Sequence, residues 1–120
     1  MSTQEDCLFC KIIAREIPAD IVYEDDDILA FRDINPQAPV HVLFVPRRHI
    51  ESANALADED AALMGGLVLA ARRYAEAQGF AASGYRLVMN TNAHGCQTVF
   101  HMHLHLLGGG QLAGGFGATR

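Results

Sequence analysis

Tryptophan is absent from this 120-residue chain, and cysteine occurs only three times. A small, odd cysteine count argues against the disulfide framework of a small secreted domain. Positive charge is scarce: nine Lys and Arg stand against fourteen Asp and Glu, for a net charge of −5. No basic patch advertises a nucleic-acid partner. A small anion stays admissible, because local histidines and backbone amides hold phosphate on an acidic protein too. No apolar run approaches the roughly 20 residues of a membrane span. The opening MSTQEDCLFCKII (1–13) lacks the basic start and long apolar core of a signal peptide. These absences predict a cytoplasmic protein that touches neither nucleic acid nor membrane. Internal repeats and linkers are missing as well. The one low-complexity piece is GGGQLAGGFGATR (108–120). A single domain over 1–120 is therefore expected, with a core at about 5–110 and a flexible glycine-rich tail at 111–120.

Half of the residues are hydrophobic, enough for one core. CLFCKIIARE (7–16) reads as a short helix with Ile12 and Ile13 inward and Lys11 and Arg15 outward. IVYE (21–24) and ILAFRD (28–33) read as two strands joined by the turn Asp25-Asp26-Asp27. HVLFVP (41–46) is a near-continuous apolar strand that stops at Pro46. Asp58 is placed to cap a helix running to about Gln78, and Gly79 suits its end. That helix is apolar on more than one face, with Leu63, Leu67, Ala70 and Tyr74 on one and Met64, Val68 and Ala71 beside them. Such a helix is expected to be buried, in part against a second copy. YRLVMN (85–90) and TVFHMHLHLL (98–107) complete the strands. Short links between strands favour an antiparallel sheet with helices packed on it, an α+β fold.

The chemistry concentrates in HMHLHLL (101–107). Three of the six histidines stand at alternate positions. In a strand, alternate side chains share a face about 6.6 Å apart. His101, His103 and His105 then face one way; Phe100, Met102, Leu104 and Leu106 face the core. A wet sheet face would use Thr, Lys, Glu or Arg instead. Three same-face positions on one strand are too spread to share one zinc, although two could with ligands from elsewhere. A nucleophilic or acid–base histidine flanked by helpers is the third reading, since neutral imidazole attacks phosphorus near pH 7. The preceding NTNAHGCQTVF (90–100) carries Asn90, Asn92, Gly95, Gln97 and Thr98, the equipment of an anion-binding loop. Together, loop and histidines favour phosphate chemistry.

HMHLHLL resembles the signature of the histidine triad family. EIPADIVYEDDDILAFRDINPQAPVHVLFVPRRHI (16–50) and GYRLVMNTNAHGCQTVFHMHLHLLGG (84–109) are similar to the two halves of its nucleotide-binding (Hint) branch. The resemblance covers about residues 5 to 110. It implies a five-stranded antiparallel sheet with one long and one short N-terminal helix, and a homodimer joining two sheets into ten strands. It implies purine nucleotides (AMP or GMP and their phosphoramidate esters) as ligands. The implied reaction is hydrolysis of a nucleoside 5′-phosphoramidate to AMP and an amine, with no cofactor required for the chemistry. His103 corresponds to the nucleophile that forms a nucleotidyl-histidine. His105 corresponds to a phosphate contact, and His101 and His41 complete a four-histidine site. Asn90, Gln97 and the amides of Cys96 and Val99 match the phosphate lining, and Thr98 stands where the family has a serine or threonine near the leaving group. Asp33 matches the acid on the ribose hydroxyls. Phe9, Ile12, Phe31, Ile34 and Leu43 match the walls around the base, although core packing would also satisfy each. Two further functions suit the same resemblance: a dinucleoside polyphosphate hydrolase or nucleotidyl transferase, and a nucleotide-binding regulatory module with little turnover.

Cys7-Leu8-Phe9-Cys10 stands apart. A thioredoxin-type motif follows a strand, and nothing strand-like precedes Cys7. Two small hydrophobes on a helix is one reading. The other comes from the resemblance: some members of the wider superfamily hold a structural zinc through such a pair and two histidines. The matching positions are His49 and His101, a Cys₂His₂ set ordinary for zinc. The animal Hint proteins lack the pair, so the resemblance points to the prokaryotic, zinc-bearing type. His94 is left as a loop residue or a substitute ligand. The tail carries no Trp, and Phe116 is the one aromatic that could reach a partner's site.

Overall fold

The computed structural model describes residues 6–115. The expectations for Phe116 and the end of the tail lie outside them. The elements are α1 (Leu8–Ile13), β1 (Ile21–Glu24), β2 (Ile28–Arg32), β3 (Val40–Pro46), α2 (Ala61–Gln78), β4 (Arg86–Val88) and β5 (Leu104–Gly108). Five strands form one sheet in the order β1-β2-β3-β5-β4, with every neighbouring pair antiparallel. This is the α+β fold expected.

Period-two alternation splits the sheet into two faces. Ile28, Ala30, Val42, Phe44, Leu104 and Leu106 share a cluster with Leu67, Ala70, Ala71, Tyr74 and Ala75 of α2. Leu29, Phe31, Leu43 and Val45 pack with Cys7, Phe9 and Ile12 of the α1 region on the other. Phe44 is wholly buried at the centre, and burying such a ring contributes about 1.5–3 kcal/mol over leaving it exposed. α2 ends at Gly79 in the left-handed region, φ 89°, where a Cβ would be strained.

Several expectations are corrected. Asp58 does not cap α2: residues Asp58–Asp60 form a separate 3-10 turn. The Asp60 carboxylate instead accepts from Ala57 N–H and pairs with Arg48. The 85–90 strand is shorter, Arg86–Val88. Within the single chain α2 is buried along one stripe and leaves Val68 46% exposed, which does not test the expected burial against a second copy. Ile13 is only half-buried, unlike Ile12. The largest correction concerns the last strand. The ladder begins at Leu104, opposite Phe44, so 98–103 is not sheet. β3 runs out at Pro46, which has no N–H to donate. Pro46 gives its carbonyl to the His101 ring, and Met102 N–H turns to Ile50 O. Phe100, expected inward, is consequently 48% exposed.

Candidate active site

The histidine face is not a wet one. His101 is 0% exposed, His103 is buried, and only His105 is half-buried. α1 covers them: the Phe9 ring meets His103 edge-on at 5.1 Å and Phe31 at 5.2 Å. The covering works because α1 packs on the sheet face that bears the odd-numbered residues of β2 and β3. Leu43 lies opposite His105, and His41 opposite Leu107. His41 and His105 are thus diagonal same-face neighbours, close enough for their rings to touch.

Backbone partners determine the tautomers of His41, His101 and His103, and His41 in turn determines that of His105. The Gln37 amide donates to His41 Nδ1 at 3.0 Å, so the His41 proton sits on Nε2. That N–H donates to His105 Nδ1 at 2.9 Å. The proton of His105 is therefore on Nε2. His103 Nδ1–H donates to the carbonyl of His101 at 2.8 Å, which leaves the Nε2 lone pair of His103 free. Asp33 stands beside this relay, its Oδ2 3.5 Å from His41 Nε2, while its Oδ1 accepts from Asn35 N–H. Burial pushes all of these imidazoles below the ordinary value of 6.5, His105 to about 4. The site at neutral pH thus offers one imidazole lone pair and one imidazole N–H, both uncharged.

The cavity in front of them, about 290 Å³, is lined by Phe9, Ile12, Ile17, Phe31, Asp33, Ile34, Leu43, Thr98, Val99, His103 and His105, among others. Ile34 is 98% exposed at the rim. Pro18 and Ala19 also line it, beside Ile17, and none of the three was among the residues expected at the site. A larger cleft of about 750 Å³ lies elsewhere, between the 25–27 turn and α2. It contains none of the histidines, and its Arg47 and Arg48 already pair with Glu24 and Asp60. Size therefore does not mark the reactive site.

The loop from Asn90 to Val99 borders the cavity only in part. Asn92 and Cys96 hold positive φ, 59° and 64°. Gly95 belongs to the 3-10 turn Ala93–Gly95 and is not one of the positive-φ positions. Cys96, with ψ 32°, is in the left-handed helical region, whereas Asn92, with ψ −168°, lies in a region nearly confined to glycine, so both are held at a cost. Gln97 is buried, and its side chain braces the loop: it donates to Glu51 O and Val99 O and accepts from Asn92 N–H. Its amide is occupied by those bonds and by the loop's shape. Asn90 is half-buried and Cys96 exposed.

Two groups of possible ligands occur among the described residues: Cys7, Cys10, His49 and His101, and Asp33, His41 and His105. The tautomers separate them. His41 Nε2 carries a proton fixed by the Gln37 amide, so it offers no lone pair to a metal. In the first group, His101 Nε2–H donates to Pro46 O at 2.7 Å, which aims the Nδ1 lone pair at Cys7 Sγ (3.4 Å) and Cys10 Sγ (3.5 Å). His49 Nδ1 lies 3.3 Å from Cys10 Sγ. A tetrahedral zinc places sulfur and nitrogen ligands about 3.6 Å apart, so the set fits. A ligating histidine whose other N–H meets a backbone carbonyl is the usual supporting arrangement. Without a metal, burial and Cys7 push the Cys10 thiol up to about 11. His94 is exposed and outside the cluster.

Comparison with known proteins supplies the remaining findings. The model of the HIT domain family matches residues 14–112. The purine nucleoside phosphoramidase of Escherichia coli (strain K12) is 52% identical over 105 residues, 88% of this chain and 88% of that protein. A HIT family hydrolase structure from Legionella pneumophila superposes with TM-score 0.87 at 52% identity, covering 89% of this chain and 96% of that one. A histidine triad protein from Clostridium difficile gives TM-score 0.89 at 40% identity, over 92% and 96%.

Proposed function

This chain belongs to the HIT domain family, and on that premise we propose that it is a purine nucleoside phosphoramidase. It would hydrolyse nucleoside 5′-phosphoramidates to the nucleoside monophosphate and an amine. The observation that carries the mechanism is the pair of tautomers: a free Nε2 lone pair on His103 and an Nε2–H on His105. The purine lies in the apolar cavity of Phe9, Ile12, Ile17, Phe31 and Ile34, with Asp33 on the ribose hydroxyls. His103 Nε2 attacks the phosphorus; an N–P bond forms as the bond to the amine breaks. The leaving amine takes a proton from solvent, which the water that later hydrolyses the intermediate gives back, and His105 Nε2–H donates to the phosphate region where charge builds. His103 keeps its Nδ1–H on the His101 carbonyl, so the nucleotidyl-histidine is a cationic imidazolium and a good leaving group. Water then cleaves the N–P bond, returning the lone pair to Nε2. Thr98 and Val99 border the phosphate and leaving group in this reading; the Cys96 N–H is bonded to Ala93 O instead, and neither Cys96 nor Asn90 lines the cavity.

The substrate test is direct. Adenosine 5′-phosphoramidate should be turned over to AMP, followed chromatographically, faster than diadenosine polyphosphates at equal concentration. The opposite order would move the assignment to dinucleoside polyphosphate hydrolysis.

The Cys7–Cys10–His49–His101 cluster supports a structural zinc, which would supply a rigid tie between α1 and the segment before β5 rather than any step of the reaction. Metal analysis of protein purified without chelator should find one equivalent of zinc per chain, lost in Cys10→Ser. A metal content near zero in the wild type would remove this reading. We also propose a homodimer: β4 is an edge strand, and α2 exposes Val68 and Leu69. Sedimentation at micromolar concentration should give twice the chain mass of 13.0 kDa. Among the described residues no helix is long and apolar enough to cross a membrane.

A further inference from the structure

The metal-ligand cluster and the nucleotide cavity share more than proximity. α1 has only six residues, too few to be stable alone. Cys7 caps it and Cys10 lies in its first turn, so both cysteine ligands belong to this one short element. Between them stands Phe9, which lines the cavity and contacts Phe31, His101 and His103. Ile12, another cavity wall, is one turn further along the same helix. On the opposite side, His101 faces both sites. Its ring Nδ1 points at the two sulfurs, and its carbonyl holds Nδ1–H of His103. His49 reaches the cluster from the segment that follows β3.

We infer that this cluster is energetically coupled to the nucleotide cavity: metal bound by Cys7, Cys10, His49 and His101 tightens purine-nucleotide binding, and nucleotide tightens metal. Cys7, Cys10 and His49 are positioning residues that act through Phe9 and His101. The reasoning is one of shared ordering. A metal joining four ligands from three segments immobilises α1 and His101. Those are the parts a nucleotide must also hold still, one as the wall against the base and one as the anchor of the nucleophile. Whichever ligand binds first meets that ordering cost, and the second binds tighter for it. Linkage requires the two effects to be equal. The inference rests on the purine-nucleotide reading of the cavity.

The experiment measures zinc affinity by competition with a chromophoric chelator, with and without saturating AMP, and AMP affinity with and without zinc. The expected result is zinc affinity raised at least about fivefold by AMP, with AMP affinity raised by the same factor by zinc, in the range usual for coupled sites. Equal zinc affinities in the two conditions overturn the coupling. AMP failing to bind the zinc-loaded protein overturns the nucleotide reading itself and the coupling with it, a result distinct from tight but uncoupled AMP. Circular dichroism checks that the metal-free protein is folded. Should it unfold, the coupling is read instead on folded, cobalt-loaded protein, whose visible absorption reports the thiolate and imidazole ligands. AMP should then shift that spectrum, with half of the change reached at the dissociation constant of AMP. A spectrum unmoved by bound AMP describes a metal that only staples the fold, and overturns the proposal.

Discussion

His103→Ala should abolish turnover while leaving AMP binding largely in place. Mass spectrometry of protein quenched with adenosine 5′-phosphoramidate should show one added AMP on the wild type and none on the variant. The expected loss in rate is about 10³-fold or more, the scale on which removal of a nucleophile is felt when binding and charge stabilisation remain. Two features support so large an effect. The Nε2 of His103 is the one triad nitrogen with a free lone pair facing the cavity, because Nδ1–H is held by the His101 carbonyl at 2.8 Å. His101 Nδ1 faces the cysteines and His105 Nδ1 is occupied by His41, so neither neighbour can substitute. The ring is also packed against Phe9, so truncation leaves a void and lowers stability by an amount of order 2 kcal/mol. A denaturation midpoint should therefore be measured beside the rate. A wild-type protein that releases AMP without ever showing an adduct would favour direct attack by water and overturn the covalent route.

His41→Ala should be the second largest change, although His41 need touch neither the phosphorus nor the leaving amine. Its Nε2–H is the donor that keeps His105 Nδ1 proton-free. Without it, His105 is free to place its proton on Nδ1 and turn a lone pair toward the phosphate, which is repulsive. Loss of the correct histidine tautomer has reached about 10⁴-fold in a serine protease triad; a fall in kcat of at least about 10²-fold is expected here on the same principle. KM should move little, since the base and ribose contacts are elsewhere. His41→Gln keeps an amide N–H at similar reach and should recover part of the rate. Retention of wild-type kcat by His41→Ala would mean that the relay does not set His105.

ILAFR and VHVLFVP were legible as strands from their near-continuous apolar runs, and the alternation of side chains along any strand then divides them between the two faces of the sheet. The strand through 98–103 was misread for a physical reason. Alternation reports which side chains are polar, whereas pairing depends on a neighbour with N–H groups to share, and β3 ends at Pro46. The same limit hid the burial of the histidines. They look like a polar face in one dimension, and a six-residue helix distant in sequence covers them. Ile17, Pro18 and Ala19 carried no signal beyond being apolar, and only the closure of the cavity around them brings them to the site. Gln97 shows the reverse case: its residue type suits phosphate, yet its bonds go to Glu51, Val99 and Asn92.

By itself, the sequence determined which chemical groups are available: four histidines on alternating positions of two strands or their extensions, a cysteine pair one helical turn apart, and apolar residues spaced to wall a cavity. Those are properties of side-chain type and period, and both are written in the order of residues. The tertiary structure alone decided which nitrogen of each imidazole holds a proton, and hence which ring can attack, which can donate and which can bind a metal. The deciding partners are the amide of Gln37 and the carbonyls of His101 and Pro46. Nearly every residue carries an amide N–H and a carbonyl, so residue identity cannot reveal where the chain will present them.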